Sequence, residues 1–414
     1  MLRFEKFTLE NGLRVIVHED RTTPMAAVNI LYDIGARDED PERTGFAHLF
    51  EHLMFGGSVN IPEYDEPLQM AGGENNAYTT NDITNYYIQL PLKNLETAFW
   101  LESDRMLSLA FSEKSLDVQR KVVSEEFKEH YLNKPYGDAW KHMRMLAYKK
   151  HPYQWMTIGK ELKHIEEAEL EHVKAFFQKH YSPVNAVMCV AGNVSVEEVR
   201  ALSEKWFGSI PAGERYLRSL SAEPRQQEAR TETVTADVPL DALYKAWHMA
   251  GRLEAPYYAA DLISEIMGNG YSSRLYQRLV KELQLFSNLS CYHTGSNDPG
   301  LLVVEGKIVD GKTLEEANAA VEAEIQKLMD HGVTDDELTK AKNKIEAMIS
   351  FEDMSILSRA NNLAYYELLG DAEMINAELG HYQAVTAEYL QATARDIFRA
   401  DNCNTLFYKK KATA

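Results

Sequence analysis

Cysteine is scarce: Cys189, Cys291 and Cys403 are odd in number, widely spaced and free of any CxxC pair. That excludes a disulfide framework and a thiolate metal site, so any metal must be held by histidine and carboxylate. No stretch approaches the roughly 18 uninterrupted apolar residues that a membrane span needs. The opening Met1-Leu-Arg-Phe-Glu-Lys-Phe lacks the apolar core of a secretory signal and runs straight into strand-like sequence, so a cytoplasmic location is expected. Positive charge is the scarcer sign, with 44 Lys and Arg against 63 Asp and Glu and a net charge of -19. Such acidity repels nucleic acid and anionic membranes and favours basic peptides.

What remains is a soluble globular composition, 45% hydrophobic and 26% charged, over 414 residues. That length exceeds one ordinary domain and suits two. Alternating, β-branched runs at 13–18 and 26–32 read as strands, as do 76–80, 84–90 and 186–191. Helical periodicity falls at about 92–108, 113–131 and 168–180, giving an α+β fold with strands grouped in hairpins. Between 210 and 238 the pattern dissolves into polar, breaker-rich sequence, which predicts a linker. The order then restarts: strand-like Ala242 to His248 precedes a helix, Ala259 to Met267, that ends at Gly268-Asn-Gly270. A diverged internal duplication follows, with a first domain over 1–212, a linker over 213–237 and a second domain over 238–414.

The chemistry concentrates in Thr44-Gly-Phe-Ala-His48-Leu-Phe-Glu51-His52-Leu-Met-Phe-Gly56-Gly57, with Thr44 as a candidate N-cap and glycines as a stop. Phe46, Leu49, Phe50, Leu53 and Met54 form a core stripe on such a helix, while His48, Glu51 and His52 share another face. Two imidazoles one turn apart can hold one zinc ion, and the carboxylate between them can act as base toward a water that the metal acidifies. A chain of this composition would show His-x-x-Glu-His by chance with probability about 0.04, so the match carries information. A zinc site needs a third protein ligand, and the helix over 113–131 offers Glu125, Glu126, Glu129 and His130. Glu126 is favoured because it follows Val122 by one turn beside Phe127, on the side expected to be buried. Laying the two duplicated helices together by their glycines puts Asp261, Ser264 and Glu265 where His48, Glu51 and His52 stand, so only the first half can carry the chemistry.

An ordered series of motifs spans nearly the whole chain: Asn11-Gly-Leu-Arg-Val, His48-Leu-Phe-Glu51-His52, Gly72-Gly-Glu-Asn-Asn76-Ala77-Tyr-Thr-Thr, Tyr86-Tyr, Arg120-Lys-Val-Val-Ser-Glu-Glu126, His151-Pro-Tyr, Tyr181-Ser-Pro-Val-Asn and Ser272-Ser-Arg-Leu-Tyr. In these the sequence resembles the pitrilysin and insulysin peptidases, the inverzincins of peptidase family M16, and among them the bacterial relatives of the mitochondrial processing peptidase. The resemblance implies two homologous α+β domains, each a mixed, mostly antiparallel sheet packed with helices, enclosing a cavity. It implies Zn2+ held by His48, His52 and Glu126, with Glu51 as general base. It also implies that Asn76, Ala77 and Tyr78 lie on an edge strand to which a peptide substrate adds as a further strand. Two departures from the family stand out: a Glu seven residues before Glu126 is Gln119 here, and a substrate-gripping Arg and Tyr are Val280 and Ser287. The second departure implies a homologous partner subunit that carries the Arg and Tyr, in a heterodimer with this chain as catalytic subunit. The rival reading is a non-catalytic scaffold or binding subunit of the same fold, and the intact His48, Glu51 and His52 argue against it.

Overall fold

In a computed structural model that describes residues 1–411, the chain forms two compact units. The first gathers Met1–Phe127, Trp155–Leu220 and Ile349–Ala377; the second gathers Lys128–Gln154, Ser221–Met348 and the chain from Glu378 onward.

The first unit holds a six-stranded sheet of β1 (Glu5–Thr8), β2 (Arg14–Glu19), β3 (Met25–Tyr32), β4 (Glu74–Thr79), β5 (Thr84–Pro91) and β6 (Ala186–Gly192), in the order β1-β2-β6-β3-β5-β4. Only β2 and β6 run parallel. Every residue of β6, and all of β3 after Met25, is buried. Burial on both faces is why these strands read as continuous apolar runs. On one face Ala27, Leu31, Val187 and Cys189 pack against Ile356, Ala360, Leu363 and Ala364 of helix Ile356–Leu369. The first unit therefore draws part of its core from far beyond the 1–212 read as its domain. On the other face Tyr32 packs against Tyr86 and Tyr181, with ring centroids 5.8 and 4.6 Å away. Tyr181 in turn meets Phe50 at 4.3 Å, which seats helix Phe46–Leu53 on the sheet. Two of the shared motifs are thereby accounted for: Tyr86 and Tyr181 form the aromatic floor of that helix.

The second unit holds β7 (Arg230–Ala236), β8 (Ala242–His248), β9 (Phe286–His293), β10 (Leu301–Ile308) and β11 (Cys403–Lys410), in the order β7-β11-β8-β10-β9. Here β7 and β11 are the parallel pair. Strand for strand this repeats β2-β6-β3-β5-β4, so the duplication is written in the topology. β7 lies inside the segment read as linker. Its Arg-Thr-Glu-Thr-Val-Thr-Ala is β-branched at alternate positions, but as a half-exposed edge strand it lacks the apolar residues that flag a core strand. Ala242, Tyr244, Ala246, Leu301, Val303 and Leu406 pack with Met143 and Ala147 of helix Ala139–Ala147, so residues from the sequence's first half complete this core. Two further motifs are structural here. His151 Nε2 lies 3.3 Å from Asp298, while Arg274 makes a two-pronged pair with Glu337, each contact 2.7 Å.

Candidate metal centre

Helix Phe46–Leu53 is short, and its position comes from its apolar stripe: Phe46, Leu49, Phe50 and Leu53 are buried, as is Met54 just beyond, in the predicted pattern. Its start differs from the expectation. Gly45, at φ +87°, stands at the N-cap, and a Cβ there would lie 2.4 Å from the Ile158 carbonyl oxygen, so only glycine fits. Thr44 does not cap the helix; its hydroxyl accepts from the Lys160 N–H at 2.7 Å and meets His164 Nδ1 at 2.9 Å. The cap arrives instead from the preceding loop. Glu39, 6% exposed, accepts from the Gly45 and Ala47 N–H groups through its two oxygens, each at 2.8 Å. Burial pushes its pKa up to about 8, against the downward pull of those two bonds.

His48, His52 and Glu126 converge, their candidate ligand atoms all within 4.8 Å of one another. His48 Nε2 is 3.7 Å from Glu126 Oε1, and His52 Nε2 is 3.4 Å from Glu126 Oε2. Those separations are long for hydrogen bonds. The shorter is close to the edge of a tetrahedron around an ion with bonds of roughly 2.0–2.1 Å, about 3.3 Å, and the longer is somewhat wider. Two imidazole nitrogens and one carboxylate are a protein donor set that catalytic zinc sites use. Burial lowers the His48 pKa to about 4, with His52 adding to the fall and Glu126 opposing it. The ring is therefore neutral near pH 7, as a metal ligand must be. His48 Nδ1 is buried without a hydrogen-bond partner, so no outer acceptor fixes this imidazole and its aim depends on the helix.

Of the four side chains offered by the second helix, Glu126 alone joins this cluster, whereas Glu125, Glu129 and His130 are exposed. The reason first given for Glu126 holds only in part: Phe127 is buried, but Val122 is not. Val122 is 45% exposed, and the buried stripe of helix Glu113–Phe127 is Leu116, Val123 and Phe127. Glu126 sits half-buried beside that stripe. After Phe127 the expected helix gives way to a wider, π-helical turn over Lys128–Asn133.

Glu51 lies on the same helix face as the histidines, and its Oε2 accepts a hydrogen bond from the Thr79 hydroxyl. Burial raises the Glu51 pKa, while the Thr79 bond and His52 hold it down. A carboxylate moved toward neutrality is suited to proton transfer. Thr79 ends β4, the edge strand of the sheet, with Asn76, Ala77 and Tyr78 just before it. Along β4 the side chains of Asn75, Ala77 and Thr79 are half-buried and those of Glu74, Asn76 and Tyr78 exposed, so one face meets helix Phe46–Leu53. Thr79 was not singled out from the sequence; its place one residue beyond Tyr78, on the inward alternation, was the available signal. In the second unit Val280 lies in a helical turn over Tyr276–Glu282, and exposed Ser287 donates to the Lys307 carbonyl at 3.2 Å.

Residues 14–161, which contain His48, Glu51, His52, Thr79 and Glu126, match the family described as insulinase, peptidase family M16. Over almost its full length the chain is 30% identical to the zinc protease PqqE of Helicobacter pylori, with 98% of this chain and 93% of that one covered. The chain belongs to the insulinase family of peptidases. Residues 167–345 match the part of the family described as the peptidase M16 inactive domain. That segment holds Asp261, Ser264 and Glu265 in place of the histidines and the base. The crystal structure of a protease from Helicobacter pylori superposes with a TM-score of 0.92 at 28% identity, covering 99% of this chain and 100% of that one. A probable mitochondrial-processing peptidase subunit beta of Arabidopsis thaliana is 24% identical, with 83% of this chain and 66% of that one covered. Among the described residues of this family member no helix is long and apolar enough to cross a membrane.

Proposed function

We propose that this chain is a zinc-dependent endopeptidase acting on peptides or unfolded segments, with His48, His52 and Glu126 as metal ligands and Glu51 as general base. The convergence of two imidazole nitrogens and a carboxylate on one point, beside a second carboxylate left outside that triangle, carries the reading. Zinc bound there would act as a Lewis acid that brings the pKa of water down to about 7. Glu51 takes a proton from the attacking water as its oxygen bonds to the scissile carbonyl carbon, and returns that proton to the amine nitrogen as the C–N bond breaks. Asn76, Ala77 and Tyr78 offer an edge for an extended peptide to join by main-chain hydrogen bonds, which fits a substrate defined by extension more than by sequence.

Val280 cannot donate a hydrogen bond and Ser287 is short, so the second half offers no Arg–Tyr grip on an oxyanion. In our reading a homologous partner chain supplies it, and loss of such donors costs about 10² to 10³ in rate. The rival, a non-catalytic binding subunit, is favoured by those same two residues and by the inactive-domain match of the second half. Glu51→Gln separates the two. The amide accepts no proton yet removes no ligand, so zinc content should stay while peptide cleavage, measured with the partner present, falls by roughly 10²-fold or more. Cleavage by a zinc-replete Glu51→Gln protein at the unmutated rate excludes the role given to Glu51. A wild-type chain that binds zinc but cleaves no peptide, alone or with homologous partners, supports the rival.

A further inference from the structure

We propose that Glu39 is a positioning residue for the metal centre: its carboxyl group fixes the first turn of helix Phe46–Leu53 and thereby the aim of His48. The inference rests on the metal reading above. That helix has eight residues, too few to persist on its own. Its N-cap residue is a glycine, which has no side chain to offer the orphan N–H groups, and Thr44 is engaged elsewhere. Glu39 fills the gap by accepting from two N–H groups at once, one at Gly45 and one at Ala47, the residue before His48.

Glu39 is held firmly enough to do this. It follows a single 3-10 turn, Ala36–Asp38, whose Asp38 accepts from the Gly35 N–H at 3.0 Å and from Arg218 at 2.6 and 3.0 Å. Trp155 Nε1 donates to the Ala36 carbonyl at 2.8 Å, closing the other side of the loop. Packing holds both ends of the helix, since Phe46 and Ala47 are buried as well as Leu53, but the hydrogen-bonding needs of the first turn fall to Glu39. His48 is the third residue of the helix, one residue after the Ala47 N–H that Glu39 accepts from, and its Nδ1 has no partner to hold the ring. If the first turn frays, His48 leaves the triangle before His52 does. Glu39 therefore acts on the metal through His48, from outside the set of ligands.

The test uses the full-length chain and two variants, Glu39→Gln and Glu39→Asp. Gln keeps the size but turns an N–H₂ toward one of the two backbone donors; Asp keeps the carboxyl group but withdraws it by one methylene. Zinc affinity is read by chelator competition, and the visible spectrum of the cobalt-substituted protein reports the ligand set. We expect about 10- to 100-fold weaker zinc binding in both variants, the range for loss of an outer-sphere support, with an altered cobalt spectrum in the folded protein. Wild-type affinity and an unchanged cobalt spectrum in either folded variant, even with a lowered Tm, overturn the inference and reduce Glu39 to a fold-stabilising cap. If Gln prevents folding, Asp alone decides. A wild-type chain that takes up neither metal overturns this inference together with the proposed function, whereas the variant results touch only Glu39.

Discussion

The helix after β3 and the helix after β8 occupy the same place in the same strand order, yet they treat their polar residues in opposite ways. In the second unit Asp261 accepts from His293 at 3.1 Å and from the Tyr382 hydroxyl at 2.6 Å, while Glu265 meets the Lys344 ammonium at 2.5 Å. Ser264 donates to the Asp261 carbonyl at 2.8 Å. A lysine on the later helix Asp335–Glu352 thus neutralises the carboxylate, where in the first unit the later helix brings Glu126 to two histidines. One arrangement is closed by its own salt bridge and hydrogen bonds. The other leaves three ligand atoms spaced for a cation. Buried polar groups demand partners; in the second unit protein groups meet that demand, and on the function proposed above a metal would meet it in the first.

The comparison can be broken at several points. The largest effect is expected at Glu126→Gln, because the amide is a poor zinc ligand of the same size: zinc affinity should fall by more than about 100-fold. Isothermal titration on the metal-stripped protein measures it, and unchanged affinity would move the third-ligand role to another carboxylate. Next comes Thr79→Val, which keeps the shape and deletes the hydroxyl that Glu51 accepts from. A hydrogen bond to a charged group is worth about 1.5–3 kcal/mol. With part of that lost in the transition state, kcat should drop by about tenfold with KM and zinc affinity unmoved, and Thr79→Ser should restore most of the rate. Equal kcat for Val and Ser would show the hydroxyl idle.

The smallest effect belongs to the second unit, where the motif arginine Arg274 holds the Glu337 pKa down at about 2 through its two-pronged hydrogen bond, with Thr334 assisting. A folded-state pKa below the unfolded value of about 4.3 means the pair stabilises fully above about pH 5 and loses that contribution as pH falls toward 2. Because the pair is partly exposed, Glu337→Gln should cost only about 1 kcal/mol at neutral pH. In thermal melts the gap in Tm between variant and wild type should close on acidification. A gap that widens toward acid would contradict the sign.

Much of this was legible in the sequence, and the failures share a cause. Strands with buried faces, the stripe of Phe46, Leu49, Phe50 and Leu53, and the His48, Glu51, His52 face follow from periodicity, which is a local property. What periodicity could not supply were the through-space partners: Glu39 reaching Gly45 and Ala47, Thr79 reaching Glu51, and Lys344 reaching Glu265. Glu126 was favoured for a reason only half right, since Phe127 is buried but Val122 is exposed, and the resemblance to a family named the residue that the local argument had left open. β7 was missed because an edge strand need not be apolar. Helix Ile356–Leu369 reads as amphipathic wherever it packs, so no local signal could assign it to the first sheet.

The claim that one half holds the metal and the other cannot is tested most directly by zinc stoichiometry in matched double variants. By elemental analysis of the purified chain, wild type and Asp261→Ala/Glu265→Ala should each carry about one zinc per chain, and His48→Ala/His52→Ala should carry none. Zinc retained at one equivalent by the histidine double variant, or lost from the Asp261/Glu265 variant while it stays folded, would contradict the account.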